Sequence, residues 1–287
     1  MTPAIWGLLA AVSWGSADFI GGLASRAIGH RSVLLAMLGV GALVLGAVIW
    51  LGGLPLVWHA DGLWLILVSG IGVMVATLWL YQALARGPIT VVAPIVGTYP
   101  AFNVAFAVAL GARPSLIAWA AMVAVLGGVV LVARSAKVVT DPTTDPPGRL
   151  RGTVLISLGA ALGFAITVAA AQEAALIYGE LQTVWLGRCV GVLACAAVFL
   201  VLRQRPHLPM RWLPYLAAQG LLDAGAYVAL LAGSDGPRAT IAVVIASAFS
   251  AVTILLARVF LREAMNRAQW LGIATIIAGV MVLSSGR

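Results

Sequence analysis

The sequence predicts an all-α integral membrane protein of ten transmembrane helices, arranged as two inverted five-helix repeats. Three observations carry that expectation. Of the 287 residues, 62% are hydrophobic and only 9% charged, and the mean hydropathy is +1.08. A soluble domain carries about 25% charge, so this chain cannot cover a water-facing surface, which excludes a soluble enzyme, a secreted module and a disordered chain. Its apolar stretches are continuous and about 20 residues long, enough to cross the hydrocarbon core as a helix, and they lack the alternation of barrel strands. Lastly, the second half of the chain repeats marks of the first.

Taken in order, the apolar runs give spans near residues 4–24, 32–52, 62–84, 88–110, 116–134, 152–172, 182–202, 212–232, 239–261 and 268–285. The first run has no basic stretch before it and reads as a span rather than a cleaved signal peptide. One connector is long and polar: Lys137 to Arg151, carrying Asp141-Pro142 and Asp145-Pro146-Pro147-Gly148. It separates a first repeat, 1–136, from a second, 152–287, with 137–151 as linker. Cys189 and Cys195 lie six residues apart on one span, too far around the helix for a disulfide, and read as packing residues.

The repeat is carried by short marks. Tyr81-Gln82-Ala83-Leu84 recurs as Tyr227-Val228-Ala229-Leu230, and Gly87-Pro88 as Gly236-Pro237. Trp119 with Gly128-Val129 recurs as Trp270 with Gly279-Val280, and Trp14-Gly15 pairs weakly with Leu162-Gly163. An odd-span repeat enters the membrane in opposite orientation the second time. Inverted pairs of this kind mark secondary transporters, whose halves exchange conformations to open on either side.

Trp14-Gly15 in span one, Tyr81-x-Ala-Leu with Gly87-Pro88 before span four, and Arg262-Glu263 before the last span give a resemblance. Over essentially its whole length the chain resembles the EamA group of the drug/metabolite transporter superfamily, most of all its bacterial amino-acid and metabolite exporters. The resemblance implies a multi-pass protein of the inner (plasma) membrane that exports small metabolites. In the related small multidrug resistance proteins, an acid in the first helix binds proton and substrate. Here Trp14 stands at the aligned position and Asp18 follows one turn later, so that role does not carry over directly.

Lys and Arg are unevenly placed. Connectors after odd-numbered spans hold Arg26, Arg31, Arg86, Arg134, Lys137, Arg149, Arg151, Arg203, Arg205, Arg211, Arg262 and Arg267. The opposite side holds Arg113, Arg238 and Arg287, which puts both termini outside by the positive-inside rule. The resemblance implies cytoplasmic termini instead. The net charge of +8 belongs to these connectors and does not indicate a nucleic-acid partner.

Charges within spans cost about 2.5–3.5 kcal/mol each at a helix centre, and three are present: Asp18, Arg188 and Asp223. Either acid could bind a proton or a substrate amino group, or pair with Arg188. Residues four apart share a helix face, which groups Trp14 with Asp18, Thr77 with Tyr81, Tyr99 with Asn103, Asp223 with Tyr227, and Phe249 with Thr253. Four of these pairs correspond between halves, Thr77/Tyr81 with Asp223/Tyr227 and Tyr99/Asn103 with Phe249/Thr253. A central cavity lined from both repeats follows, with Trp14, Tyr81, Tyr99, Asn103, Phe164, Tyr227 and Phe249 as expected substrate contacts. Gly159-x-x-x-Gly163 and Gly187-x-x-x-Gly191 allow helices to approach closely. Pro94 and Pro100 interrupt span four, while their counterparts Val244 and Ser250 do not interrupt span nine, so a hinge there would be asymmetric.

No catalytic group or cofactor is expected. A phosphate-cradling loop is absent from the sequence, and His30, His59 and His207 lie in connectors away from ligand spacing, so no metal is expected either. The expected function is secondary-active export of small metabolites, foremost neutral or aromatic amino acids, by a monomer working through alternating access. The alternative is a multidrug exporter of organic cations, with the aromatic rings and Asp18 or Asp223 as the cation's partners. A membrane enzyme or scaffold stands as a third class.

Overall fold

The computed structural model describes residues 2–109, 111, 113–139, 149–233 and 239–285. Among them are twelve α-helices: α1 (Pro3–Ile28), α2 (His30–Leu51), α3 (Leu63–Arg86), α4 (Ile89–Val96), α5 (Tyr99–Ala109) and α6 (Leu116–Val139) in the first half. The second half holds α7 (Arg149–Tyr178), α8 (Glu180–Val201), α9 (Leu213–Gly233), α10 (Ala239–Ala246), α11 (Phe249–Leu261) and α12 (Arg267–Ser284). They form ten spans, because α4 with α5 and α10 with α11 each cross the membrane as a broken pair. In lipid every backbone amide and carbonyl must be satisfied within the segment, which dictates helix for each apolar run. At 1.5 Å per residue the 22 residues of α2 cover about 33 Å, close to the hydrocarbon thickness.

Both ends of the expected linker are helical: α6 continues to Val139 and α7 begins at Arg149, while 140–148 lie outside the described residues. Two connections are a single residue long. Gly29 (φ 90°) joins α1 to α2 and Gly179 (φ 76°) joins α7 to α8, in a backbone region open to glycine.

Helices α6 and α12 begin 151 residues apart, while four of the six counterpart pairs begin 150 apart: His30 and Glu180, Leu63 and Leu213, Ile89 and Ala239, and Tyr99 and Phe249. The same contacts recur at that offset. A Cβ on Gly70 would lie 2.5 Å from the Val190 Cβ, and one on Gly220 would lie 2.5 Å from the Val40 Cβ. Val57 N–H donates to Gln182 Oε1 at 2.9 Å, and His207 N–H donates to Ser32 Oγ at 3.0 Å.

The seam between α2 and α8 fixes the symmetry. Leu38 packs on Gly191 and Arg188 on Gly41, so the two helices run antiparallel and each offers the other the same surface. Such self-complementary contact is the mark of a two-fold axis. An axis that exchanges two antiparallel membrane helices lies in the membrane plane, not along its normal. Helices α6 and α12 pack in the same reciprocal way, Gly128 on Ile276 and Gly279 on Val125. The two largest other cross-half seams are mates, α1 on α9 and α3 on α7.

This register corrects two sequence matches. At an offset of 150, Tyr81 corresponds to Leu231 and Tyr227 to Thr77, so the Tyr-x-Ala-Leu marks are one helical turn out of step. Trp14 corresponds to Phe164, not Leu162. Gly236-Pro237 lies outside the described residues. The hinge expectation is corrected as well. The break between α4 and α5 falls at Gly97-Thr98, between the two prolines, and it recurs between α10 and α11 at Ser247-Ala248 without any proline. On each side a hydroxyl turns back onto the carbonyl three residues earlier: Thr98 Oγ1 donates to Ile95 O at 2.7 Å, and Ser247 Oγ to Val244 O at 2.6 Å.

Candidate functional site

The aromatic residues named from the sequence meet across the two halves. Trp14 on α1 and Phe249 on α11 stand edge to face at 6.3 Å, while Phe164 on α7 and Tyr99 on α5 stand at 6.4 Å. The second pair is the first shifted by 150 residues with its members in the counterpart helices, so the repeat axis generates one from the other. Tyr227 on α9 completes the group, its ring 5.0 Å from that of Trp14 at 85°. Edge-to-face pairs of this kind are worth about 0.5–1.5 kcal/mol beyond the area they bury. All five side chains are half-buried. Because their rings touch rings on other helices, they face the interior of the bundle.

Asn103 lies one turn along α5 from Tyr99, and its Oδ1 is buried without a hydrogen-bond partner among the described residues. A buried acceptor left open in this way costs about 1–3 kcal/mol. Tyr81 does not join the rings. It is 2% exposed and its hydroxyl accepts a hydrogen bond from Gln219 Nε2 at 2.6 Å. Gly21 makes room for that pair, since a Cβ there would lie 2.5 Å from Gln219 Nε2.

The three charges within spans come together next to Tyr227. Arg188 is 3% exposed, and its Nη2 forms an ion pair with Asp223 Oδ2. Its Nη1 points at Met37 Sδ, 2.8 Å away, and its guanidinium carbon sits 5.2 Å above the Tyr227 ring. Asp18, one turn from Trp14, makes no ion pair among the described residues and lies near enough to Asp223 for the two carboxylates to repel. With both acids ionised, the cluster holds one negative charge in excess. Neither member of the ion pair has a charged counterpart in the first half, where Leu38 and Val73 stand at the matching positions.

Sequence reasoning overlooked Gln219 and Met37. Gln219, Asp223 and Tyr227 follow one another at four-residue spacing along a single face of α9, and that spacing was the signal for Gln219. Nothing in the sequence marks Met37.

The two ends of the bundle differ. The connectors α1–α2, α3–α4, α8–α9 and α11–α12, with the C-terminal end of α6 and the N-terminal end of α7, lie at one end, the basic face. There α4 packs along α11, and every residue from Ile89 to Val96 is buried. A Cβ on Gly97 would lie 3.2 Å from Ser250 Oγ. The two-fold related helices α5 and α10, toward the opposite face, show no comparable packing among the described residues. Ile241 and Val243 on α10 and Ala105 and Ala107 on α5 remain exposed. The space between the halves is therefore closed at the basic face and parted at the other.

Comparison with known proteins bears on this arrangement. Residues 1–134 and 151–285 each match the model of the EamA-like transporter family. No curated protein matches the chain. One solved crystal structure, 19% identical, is matched over 98% of this chain and 95% of its own, with a TM-score of 0.65. At that identity the likeness shows the shared fold alone.

Proposed function

The chain belongs to the EamA-like transporter family and is a multi-pass membrane transporter of the drug/metabolite type; on that premise we propose that it exports small metabolites, foremost neutral or aromatic amino acids, by secondary-active alternating access. The observation that carries this reading is the two-fold related pair of ring contacts, Trp14 with Phe249 and Phe164 with Tyr99, at the interface of the halves. Rings on both sides of the axis supply apolar contact area whichever face is open. The open Oδ1 of Asn103 suits a substrate amino group without the cost of burying another full charge. The protein works as a monomer, since one chain contains both repeats, and it resides in the inner (plasma) membrane.

One observation favours organic cations as a second substrate class. Asp18, the acid of the cluster that makes no ion pair among the described residues, sits one turn from the Trp14 ring, and a carboxylate beside an aromatic ring is the pairing that attracts a quaternary or protonated amine. Purified protein in proteoliposomes, offered a panel of large neutral amino acids and a panel of quaternary amines, separates the two. Uptake of the amino acids with little of the amines supports the lead reading; the reverse replaces it. Uptake of neither removes both. Asp18→Asn, assayed with and without a pH gradient, shows whether that acid couples transport to protons: loss of the gradient's effect assigns it the role.

A further inference from the structure

The closed end of the bundle is held by one carboxylate. Glu263, in the connector between α11 and α12, reaches across to the first half and caps the N-terminus of α4. Its Oε1 accepts from Ile89 N–H at 2.9 Å, and its Oε2 accepts from Thr90 N–H at 2.9 Å and Thr90 Oγ1 at 2.8 Å. Arg26 of α1 adds a cation 3.8 Å from Oε1. The same guanidinium fastens the α3–α4 connector, donating to Leu84 O at 3.0 Å and Gly87 O at 2.8 Å. A helix N-terminus presents unsatisfied amides and a partial positive charge. Three short bonds to an ionised acceptor are the strong kind. One side chain of the second half thus ties together α1, the α3–α4 connector and α4 of the first.

The two-fold relation exposes what the other end lacks. Helices α6 and α12 begin 151 residues apart, so the position matching Glu263 is Ala112. A methyl side chain has no acceptor to offer backbone amides. Thr240 is the counterpart of Thr90 in the sequence. One face of the transporter is built with a latch, and the other is built with a residue that cannot serve as one.

We propose that Glu263 is the gating residue of the basic face: its bonds to α4 hold that face shut in the resting protein, and they must break in every transport cycle. The proposal rests on the alternating-access reading for its meaning in transport, but its test needs no substrate, so the two can fail separately. The reporter is Ala257→Cys, fully buried on α11 between Glu263 and the ring pairs, in a chain with Cys189 and Cys195 replaced by Ala. Membrane vesicles of known sidedness are treated with a membrane-impermeant maleimide from the basic face.

With Glu263 intact, labelling is slow. Glu263→Ala raises its rate about tenfold or more, and Glu263→Gln, which keeps an acceptor but not the charge, falls between. Adding Ala112→Glu to Glu263→Ala gives the opposite face a latch and raises labelling again. Gel-filtration profiles confirm that each variant is folded, and Glu263→Gln carries the comparison if Glu263→Ala is not. A folded Glu263 variant that labels no faster than the parent overturns the latch. A folded Ala112→Glu addition without effect overturns the asymmetry between the faces.

Discussion

Arg188 occupies in the second half the position that Leu38 occupies in the first. Both lie across the α2–α8 seam, Leu38 against Gly191 and Arg188 against Gly41. The same seam therefore accepts an aliphatic side chain on one side of the axis and a guanidinium on the other. What permits the guanidinium is Asp223, whose counterpart is Val73.

That relationship predicts how the pair responds to substitution. Removing one partner leaves a buried charge uncompensated, which costs about 3–5 kcal/mol. Arg188→Leu and Asp223→Val should each lower thermal stability in detergent markedly. The double variant Arg188→Leu/Asp223→Val restores the residues of the first half and should regain most of that loss. If the cluster serves transport, the double variant is folded and inactive in proteoliposomes. A folded double variant with parental transport would show the pair to be structural.

The ring pairs predict a loss of transport without a loss of fold. Trp14→Ala and Tyr99→Ala each remove a half-buried ring facing the space between the halves, and each should reduce export of a large neutral amino acid about tenfold, equivalent to ~1.4 kcal/mol. Expression and gel-filtration behaviour should stay parental. Normal export by both variants would mean that the rings only pack helices together.

The glycine seams predict which glycines tolerate a methyl group. At Gly70 a Cβ would sit 2.5 Å from Val190 Cβ and 2.8 Å from Gly187 O, so Gly70→Ala should cost about 1–3 kcal/mol. Val190→Ala should recover part of it. At Gly39 and Gly127 no atom lies within 4 Å, and alanine there should leave the melting temperature unchanged or raised. Equal responses at Gly70 and Gly39 would contradict the packing described.

The basic residues predict orientation. With the basic face in the cytoplasm, both termini lie outside and the parted end of the bundle faces outward. A C-terminal green fluorescent fusion should be dark, and an alkaline phosphatase fusion at the same point active. A bright green fusion reverses the assignment in favour of the orientation the family resemblance implies.

Span number, the two halves, the Arg188–Asp223 ion pair and most of the ring group were legible in the sequence. Lipid leaves an apolar run one solution, and a charge in such a run must find a partner nearby. The register of the repeat was not. Matching Tyr81 to Tyr227 implies an offset of 146, four residues short of the true 150. Four residues are close to one helical turn, so the slip keeps the same face of the helix and leaves no conflict in the pattern. Phe164 was named as a contact although its true mate, Trp14, was paired with Leu162, because span six has no turn residue to fix the phase. The break in the second half was missed for a different reason. Proline announces the break beside Gly97, whereas Ser247 makes its counterpart with a hydroxyl turned onto a carbonyl, and serine in an apolar run looks like any other small residue.

The reciprocal α2–α8 seam also bears on the chain's ancestry. Two identical, unlinked halves meeting across that seam would change in duplicate with every substitution. Leucine to arginine at position 38 would then place two guanidiniums against one another in the membrane, each with its own desolvation cost. Once the halves were encoded by separate copies of the sequence, one could acquire Arg188 while the other kept Leu38. The same freedom was needed for glutamate at 263 and alanine at 112. Divergence of the two copies turned an exchangeable pair into a molecule with distinct ends.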